Sequence, residues 1–261
     1  MKTHTWTPSD SNTLDFSKTN VVAFGNCVVP VTRIWQNINT NDTNWLAQAY
    51  SIGVGPIKSF EQIYIDGVPY FDAGCDPVAG VWYDGKETSS EFPNVSLGLR
   101  YGNNRETAHT DLIKHSDGEL TAEHRGDRRA SIGVLIERVI HGAPRVTTSN
   151  VKIEASVKGV GVIDPRNNTT DRLWTFGNSE SYRNPACIIF TYLVDDYFGL
   201  GLPVESIDVT SFIELANYCD GRFTFDGYVD CSTDFKTILR ELCTSFGGTI
   251  QTVQGRVVII K

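Results

Sequence analysis

Along much of the chain apolar and polar residues alternate with a period of two, the pattern of a strand with one buried face. The clearest case is 151–157 (VKIEASV), with Val151, Ile153, Ala155 and Val157 on one face and Lys152, Glu154 and Ser156 on the other. Residues 60–65 set Phe60, Gln62 and Tyr64 against Glu61, Ile63 and Ile65, and 130–140 alternates over a longer span. The run 45–52 (WLAQAYSI) lies between the polar loop 37–44 (NINTNDTN) and the break Gly53-Val54-Gly55-Pro56, and predicts a buried or half-buried strand. Asp66-Gly67 is a type I′ turn dipeptide, so 68–70 is expected to return as the second arm of a hairpin.

From residue 184 the period becomes helical, and three helices are predicted. The first opens at Asn184-Pro185, an N-cap residue followed by the proline favoured at the first helical position. Ala186, Ile189, Phe190, Leu193, Val194 and Tyr197 give it an apolar face, and Gly199 is expected to end it as a left-handed cap. The second spans 208–219, with Val209, Phe212, Ile213 and Ala216 at i, i+3, i+4 and i+7. The third starts at Ser232 and carries the stripe Phe235, Ile238, Leu239, Leu242, Cys243 and Phe246 before Gly247-Gly248 stops it. A strand over 223–229 is expected between the second and third helices, and 249–253 with 256–260 form a hairpin about Gln254-Gly255.

These elements predict an α+β chain, mainly antiparallel β, with about three packed helices in the C-terminal third. Four parts are expected: an N-terminal arm, 1–44; a barrel- or sandwich-like β domain from 45–71 plus 131–183; a loop-rich insertion, 72–130; and a helix-containing second domain, 184–261. The chain stops on Lys261 directly after an apolar strand, as expected of a piece of a longer or split product.

Composition narrows function more than fold. With 40% hydrophobic and 21% charged residues the chain is globular in type. A net charge of −8 and a pI of about 5.1 argue against a nucleic-acid-binding surface, whose footprint is basic. No run is apolar and long enough to predict a membrane span, and 1–16 lacks the apolar centre of a secretory signal. The six cysteines, Cys27, Cys75, Cys187, Cys219, Cys231 and Cys243, hold no C-x-x-C pair and read as free thiols of a reducing cytosol.

No H-E-x-x-H, G-x-S-x-G or P-loop motif is present, so no catalysis, cofactor or metal is expected. His109, Asp111, His115 and His124 lie close enough in sequence to hold a metal, but histidines in an unpatterned loop are more often solvated. Cys219, Cys231 and Cys243 sit in three different contexts and read as packing residues. Asp195-Asp196 are expected on a solvated helix surface, and Asp84-Gly85 and Asp117-Gly118 in turns. Arg125, Arg128 and Arg129 fit a solvated edge or a subunit salt bridge better than a phosphate grip. Trp45, Trp82 and Trp174 are expected in a core or interface rather than stacked on sugars.

Two blocks carry a family likeness. In the stretch 184–220, Asn184, Pro185 and Ala186 open a helix, Tyr197, Gly199 and Gly201 form a Tyr/Phe-Gly-x-Gly turn, and Tyr218, Cys219 and Asp220 close a second helix. Upstream, Gly55, Pro56, Ile57, Ile63, Tyr64, Asp66 and Pro69 form a G-P-I…I-Y-x-D-x-x-P block. Both blocks, in this order, resemble the tail-tip protein J family of phage lambda and its relatives, the hub proteins of long-tailed phages. The family's Glu before Gly-Pro is Val54 here. The likeness covers 45–71 and 184–261 and is vague over 72–183.

The resemblance implies a structural hub at the distal tip of a phage tail, folded in the host cytoplasm and then part of the virion. It implies a homotrimeric ring that closes the tail tube, meets distal tail and fibre proteins, and lets DNA pass through its lumen without specific binding. The family's long receptor-binding regions have no counterpart in these residues, so the resemblance does not assign host recognition to this chain. Two other classes fit parts of the sequence: a carbohydrate- or receptor-binding tail module, from the Trp and Tyr content, and a tail-associated hydrolase working through His109 or His115.

Overall fold

The structure, a computed structural model, describes residues 21–40, 44–137, 146, 150–167 and 180–261. Expectations for 1–20, for 138–140 at the end of the long strand and for Trp174 fall outside those residues. The chain divides into two compact units, one built from Val28–Val157 and the other from Asn20–Cys27 with Lys158–Lys261.

The first unit is built on a five-stranded antiparallel sheet. Its strands are β3 (Thr32–Ile38), β4 (Trp45–Val54), β7 (Trp82–Tyr83), β8 (Val95–Arg100) and β9 (Arg129–Glu137), in the order β3-β4-β9-β8-β7. β4 and β9 pair over their full length, Trp45 opposite Glu137 and Val54 opposite Arg129. They are buried on both faces, so the hydrophobic effect acts along the whole run and not on alternate residues. A second sheet runs β2-β10-β5-β6, from β2 (Asn26–Pro30), β5 (Ile57–Ile65), β6 (Val68–Pro69) and β10 (Ile153–Val160). β2 and β10 are the segments along which the chain passes from one unit to the other. Two short helices, α1 (Gly85–Thr88) and α2 (Thr110–Lys114), complete this unit.

In the second unit β1 (Val21–Phe24) pairs antiparallel with β11 (Gly227–Asp230). Three helices follow the predicted order: α3 (Pro185–Val194), α4 (Val209–Cys219) and α5 (Phe235–Thr244). Each starts on a side-chain cap, Asn184 to the N–H of Ala186, Asp208 to that of Thr210, and Asp234 to those of Lys236 and Thr237. All ten residues of α3 are buried, so it is a central helix with no polar face. Phe190 of α3 meets Phe212 of α4 edge-on at 5.5 Å. The hairpin β12 (Thr249–Val253) and β13 (Arg256–Ile260) turns on Gln254 and Gly255, at φ 51° and 77°.

The fold is α+β and mainly antiparallel, but several boundaries differ from those expected. Among the described residues the five-stranded sheet stays open, with β3 and the two-residue β7 as its end strands, so no barrel closes. The described part of the expected arm supplies β1, β2 and β3, and Val22 and Phe24 are fully buried. The expected insertion 72–130 supplies β7 and the inner strand β8. The strand expected over 223–229 is confined to Gly227–Asp230, and the third helix begins at Phe235, not Ser232.

Candidate functional site

The upstream fingerprint residues shape backbone. Gly55, Pro56 and Ile57 link β4 to β5 through a cis Gly55–Pro56 peptide. The Gly55 N–H donates to the Arg128 carbonyl at 2.9 Å and that of Ile57 to the Tyr101 carbonyl at 3.1 Å. A Cβ on residue 55 would lie 2.5 Å from the Tyr101 oxygen, so the close approach demands glycine. Asp66 and Gly67, at φ 50° and 78°, form the I′ turn, and Pro69 returns opposite Tyr64. The Asp66 carboxylate accepts from the Lys152 N–H at 2.9 Å, tying the turn to the neighbouring segment.

The downstream fingerprint closes into a hydrogen-bonded lock. Asn184 caps α3 and also donates from Nδ2 to the Ala216 carbonyl at 3.0 Å and to Asp220 Oδ1 at 2.8 Å. Asp220 in turn accepts from Arg166, whose guanidinium grips Asp164 at 2.7 and 2.8 Å. The bond to Asp164 is the main reason Arg166 is held firmly protonated. Cys219 is fully buried beside them, and burial pushes its thiol up to about 11.

The turn after α3 differs in detail from the sequence expectation. The helix ends at Val194, and the chain folds back so that the N–H groups of Leu200, Gly201 and Leu202 donate to the carbonyls of Tyr192, Asp195 and Leu193 at 2.8–2.9 Å. Those are the carbonyls a helix end leaves unpaired. The left-handed residue is Gly201 (φ 61°), whereas Gly199 serves close approach: a Cβ there would lie 2.1 Å from the Tyr192 oxygen. Asp195 is buried, and its carboxylate accepts from the N–H groups of Tyr197 and Phe198, so it is not the solvated surface residue expected. Tyr197, expected on the apolar face, is 43% exposed because the helix stops before it.

The first unit holds a cleft of about 560 Å³, within the size range of small-molecule sites. Its floor is one face of the five-stranded sheet, where Ser51 of β4 lies directly opposite Ser131 of β9. One wall is α2 and the following loop, with Leu112, Ile113 and Leu120. The other is β3, where a register shift between Arg33 and Trp35 lets the adjacent Ile34 and Trp35 both line the cleft. The Trp35 indole N–H donates to Glu119 at 2.9 Å. His124, Arg125 and Arg129 line the remaining side, which carries the two guanidinium groups.

His109 sits at the inner end. Its Nε2 is 3.0 Å from Ser131 Oγ, and its ring meets Trp82 edge-on at 6.4 Å. Both rings rest on a bare patch of sheet made by Gly98 and Gly133, which pair across β8 and β9. A Cβ on Gly133 would lie 2.9 Å from His109 Nδ1, and one on Gly98 only 2.1 Å from the Trp82 ring. Burial first, and then the Arg100 guanidinium, push His109 down to about 3, so the ring is neutral. Its Nδ1 is buried without a hydrogen-bond partner among the described residues. An orphaned acceptor is tolerated better than an orphaned N–H, so we assign the proton to Nε2, donating to Ser131. In that state Nε2 has no lone pair to take the serine proton, and the pair is not a nucleophile with its base.

The metal candidates go to separate tasks. His109 bonds Ser131, Asp111 pairs with Lys114 at 2.6 Å, His115 lies 5.4 Å from Trp45, and His124 Nδ1 accepts from the Thr121 N–H. Among the described residues no three His, Cys, Asp or Glu side chains gather to hold a metal ion. Arg125 pairs with Asp127 at 3.2 Å, and Arg128 donates to Asn104 at 2.7 Å. Asp84 caps α1, and Asp117 accepts from the N–H of Thr40 and from Asn37. Cys231 donates to the Phe198 carbonyl and Cys243 is buried in α5, well separated in role from Cys219. The paired serines were not singled out from the sequence; their signal is one serine in each of two mostly apolar strands.

No protein-family model matches the chain, and no curated protein does. Among solved structures it is similar to a chain of the virion of native gene transfer agent (GTA) particle, at 13% identity and a TM-score of 0.34. The match covers 68% of this chain and 36% of that one, so this chain spans about a third of its length. A TM-score this low does not establish a common fold.

Proposed function

We propose that the chain is a structural hub protein at the distal tip of a bacteriophage tail, and not an enzyme. As a homotrimer it closes the tail tube, anchors tip and fibre proteins, and opens to release DNA. The observation that carries the reading is the ordered pair of motif blocks, Gly55 to Pro69 and Asn184 to Asp220. Their residues turn, cap and lock backbone, as Asn184 does with Asp220, which suits a role in assembly. The protonation assigned to the His109–Ser131 pair weighs against the hydrolase alternative. A net charge of −8 suits a wall past which DNA slides without sticking.

The test is native mass spectrometry of the purified protein with cryo-electron microscopy of the tail end. A trimer seated as a ring beneath the tube is expected. A stable monomer absent from the tail axis would sink the proposal.

A further inference from the structure

We infer that the cleft of the first unit is a binding site for a small apolar carboxylate, a compact hydrocarbon body ending in one anionic head. The inference stands apart from the hub reading and does not need it.

The body is dictated by the walls. Trp35, Ile34, Leu112 and Leu120 offer apolar surface on both sides, and the Trp35 N–H is already committed to Glu119. The head is dictated by the floor. Ser51 is 5% exposed, and its Oγ has no hydrogen-bond partner among the described residues. A hydroxyl buried without a partner costs stability and is retained where something else satisfies it. Directly across the strands, Ser131 Oγ accepts from His109 Nε2, which leaves the serine's own hydrogen free to donate. The floor therefore presents two neighbouring O–H donors.

The sign of the head follows from the next residue on the same face. Arg129 stands two positions from Ser131 on β9 and lines the cleft, as does Arg125. Glu119 also lines the cleft and keeps its negative charge while accepting from Trp35, and Arg125 is paired with Asp127 at 3.2 Å, so two guanidinium groups against one carboxylate leave the lining with a net positive balance. Two hydroxyl donors beside guanidinium groups match a carboxylate, which is acceptor-only, better than an alcohol or an amine. His109, buried and neutral, fixes Ser131 from behind and adds no charge of its own.

The experiment titrates the intact chain with octanoate and, separately, 1-octanol, following Trp fluorescence and calorimetry. Octanoate is expected to bind at least tenfold tighter than octanol. Ser51→Ala, which removes a buried unpartnered hydroxyl, should leave resistance to urea equal or higher and weaken octanoate at least fivefold while leaving octanol unaffected. Leu120→Trp, which fills the cleft from its half-exposed wall, should abolish both. Equal affinity for the two probes, no octanoate binding at millimolar concentration, or full binding by Leu120→Trp would each overturn the inference. Should Ser51→Ala fail to fold, the octanoate–octanol comparison and Leu120→Trp still decide it.

Discussion

His109 shows how one side chain's surroundings outweigh its type. In sequence it stands near Asp111, His115 and His124 as a possible ligand, yet it folds inward onto a glycine patch and titrates near pH 3. The unfolded chain protonates it near the ordinary value of about 6.5, so stability is full above that pH and falls as pH drops toward the folded value. Between pH 7 and 5 this one group should cost about 2 kcal/mol. His109→Gln, which cannot titrate, is expected to lose about 2 kcal/mol less than the parent over that interval in urea unfolding. Equal losses would place the histidine in solvent. The sequence marked the residue but not its role, because Gly98 and Gly133, which make room for it, are remote in the chain and meet it only when β8 and β9 pair. Ser51 was hidden for a similar reason: its partner is 80 residues away, opposite it across the β4–β9 ladder.

Elements were legible where local rules act alone. The cap Asn184 and the hairpin at Gln254-Gly255 follow from short-range chemistry and stand where the pattern placed them, while the alternating strand runs 153–160 rather than 151–157 and Asp208 caps the second helix instead of belonging to it. β8 and β9 are covered on both faces, so the alternation read in β9 does not mark a solvent face, and β8 was hidden among loops. The end of α3 was misplaced because apolar residues continue past it, while the real stop is the returning chain that pairs with its last carbonyls. That geometry orders two substitutions against the usual glycine rule. Gly201→Ala should cost about 1 kcal/mol, for a left-handed residue whose Cβ would meet Asp196 only at an ordinary contact distance of 3.6 Å. Gly199→Ala, at ordinary φ, should cost more, about 2–3 kcal/mol, since it must push backbone off the Tyr192 carbonyl. Asn184→Ala is expected to fall between them at about 2 kcal/mol, from a lost cap and an Asp220 left with one donor fewer. Chemical denaturation of the three variants gives the order, and a greater loss in Gly201→Ala than in Gly199→Ala would refute the close-approach account.

At the scale of the molecule the two units are interleaved in sequence, and that was not legible at all. Residues 21–24 precede the 28–157 part of the first unit, in a segment that composition marked as an arm, yet they pair with β11 at 227–230. No local rule links segments about 200 residues apart; only the burial of Val22 and Phe24, each at 0% exposure, shows what the strand contributes. Fully burying two such side chains is worth roughly 3–6 kcal/mol, comparable with the whole stability of a small domain. The second unit is therefore incomplete as a contiguous piece. A chain of residues 158–261 alone is expected to unfold without a cooperative transition in urea. The same chain with 20–27 joined to it by a flexible linker should recover a single sigmoidal transition, and Phe24→Ala in that joined chain should lose about 3–5 kcal/mol of it. If 158–261 alone melts as sharply as the joined chain, β1 is an ornament on this unit and the boundary drawn at residue 44 from composition was the better one.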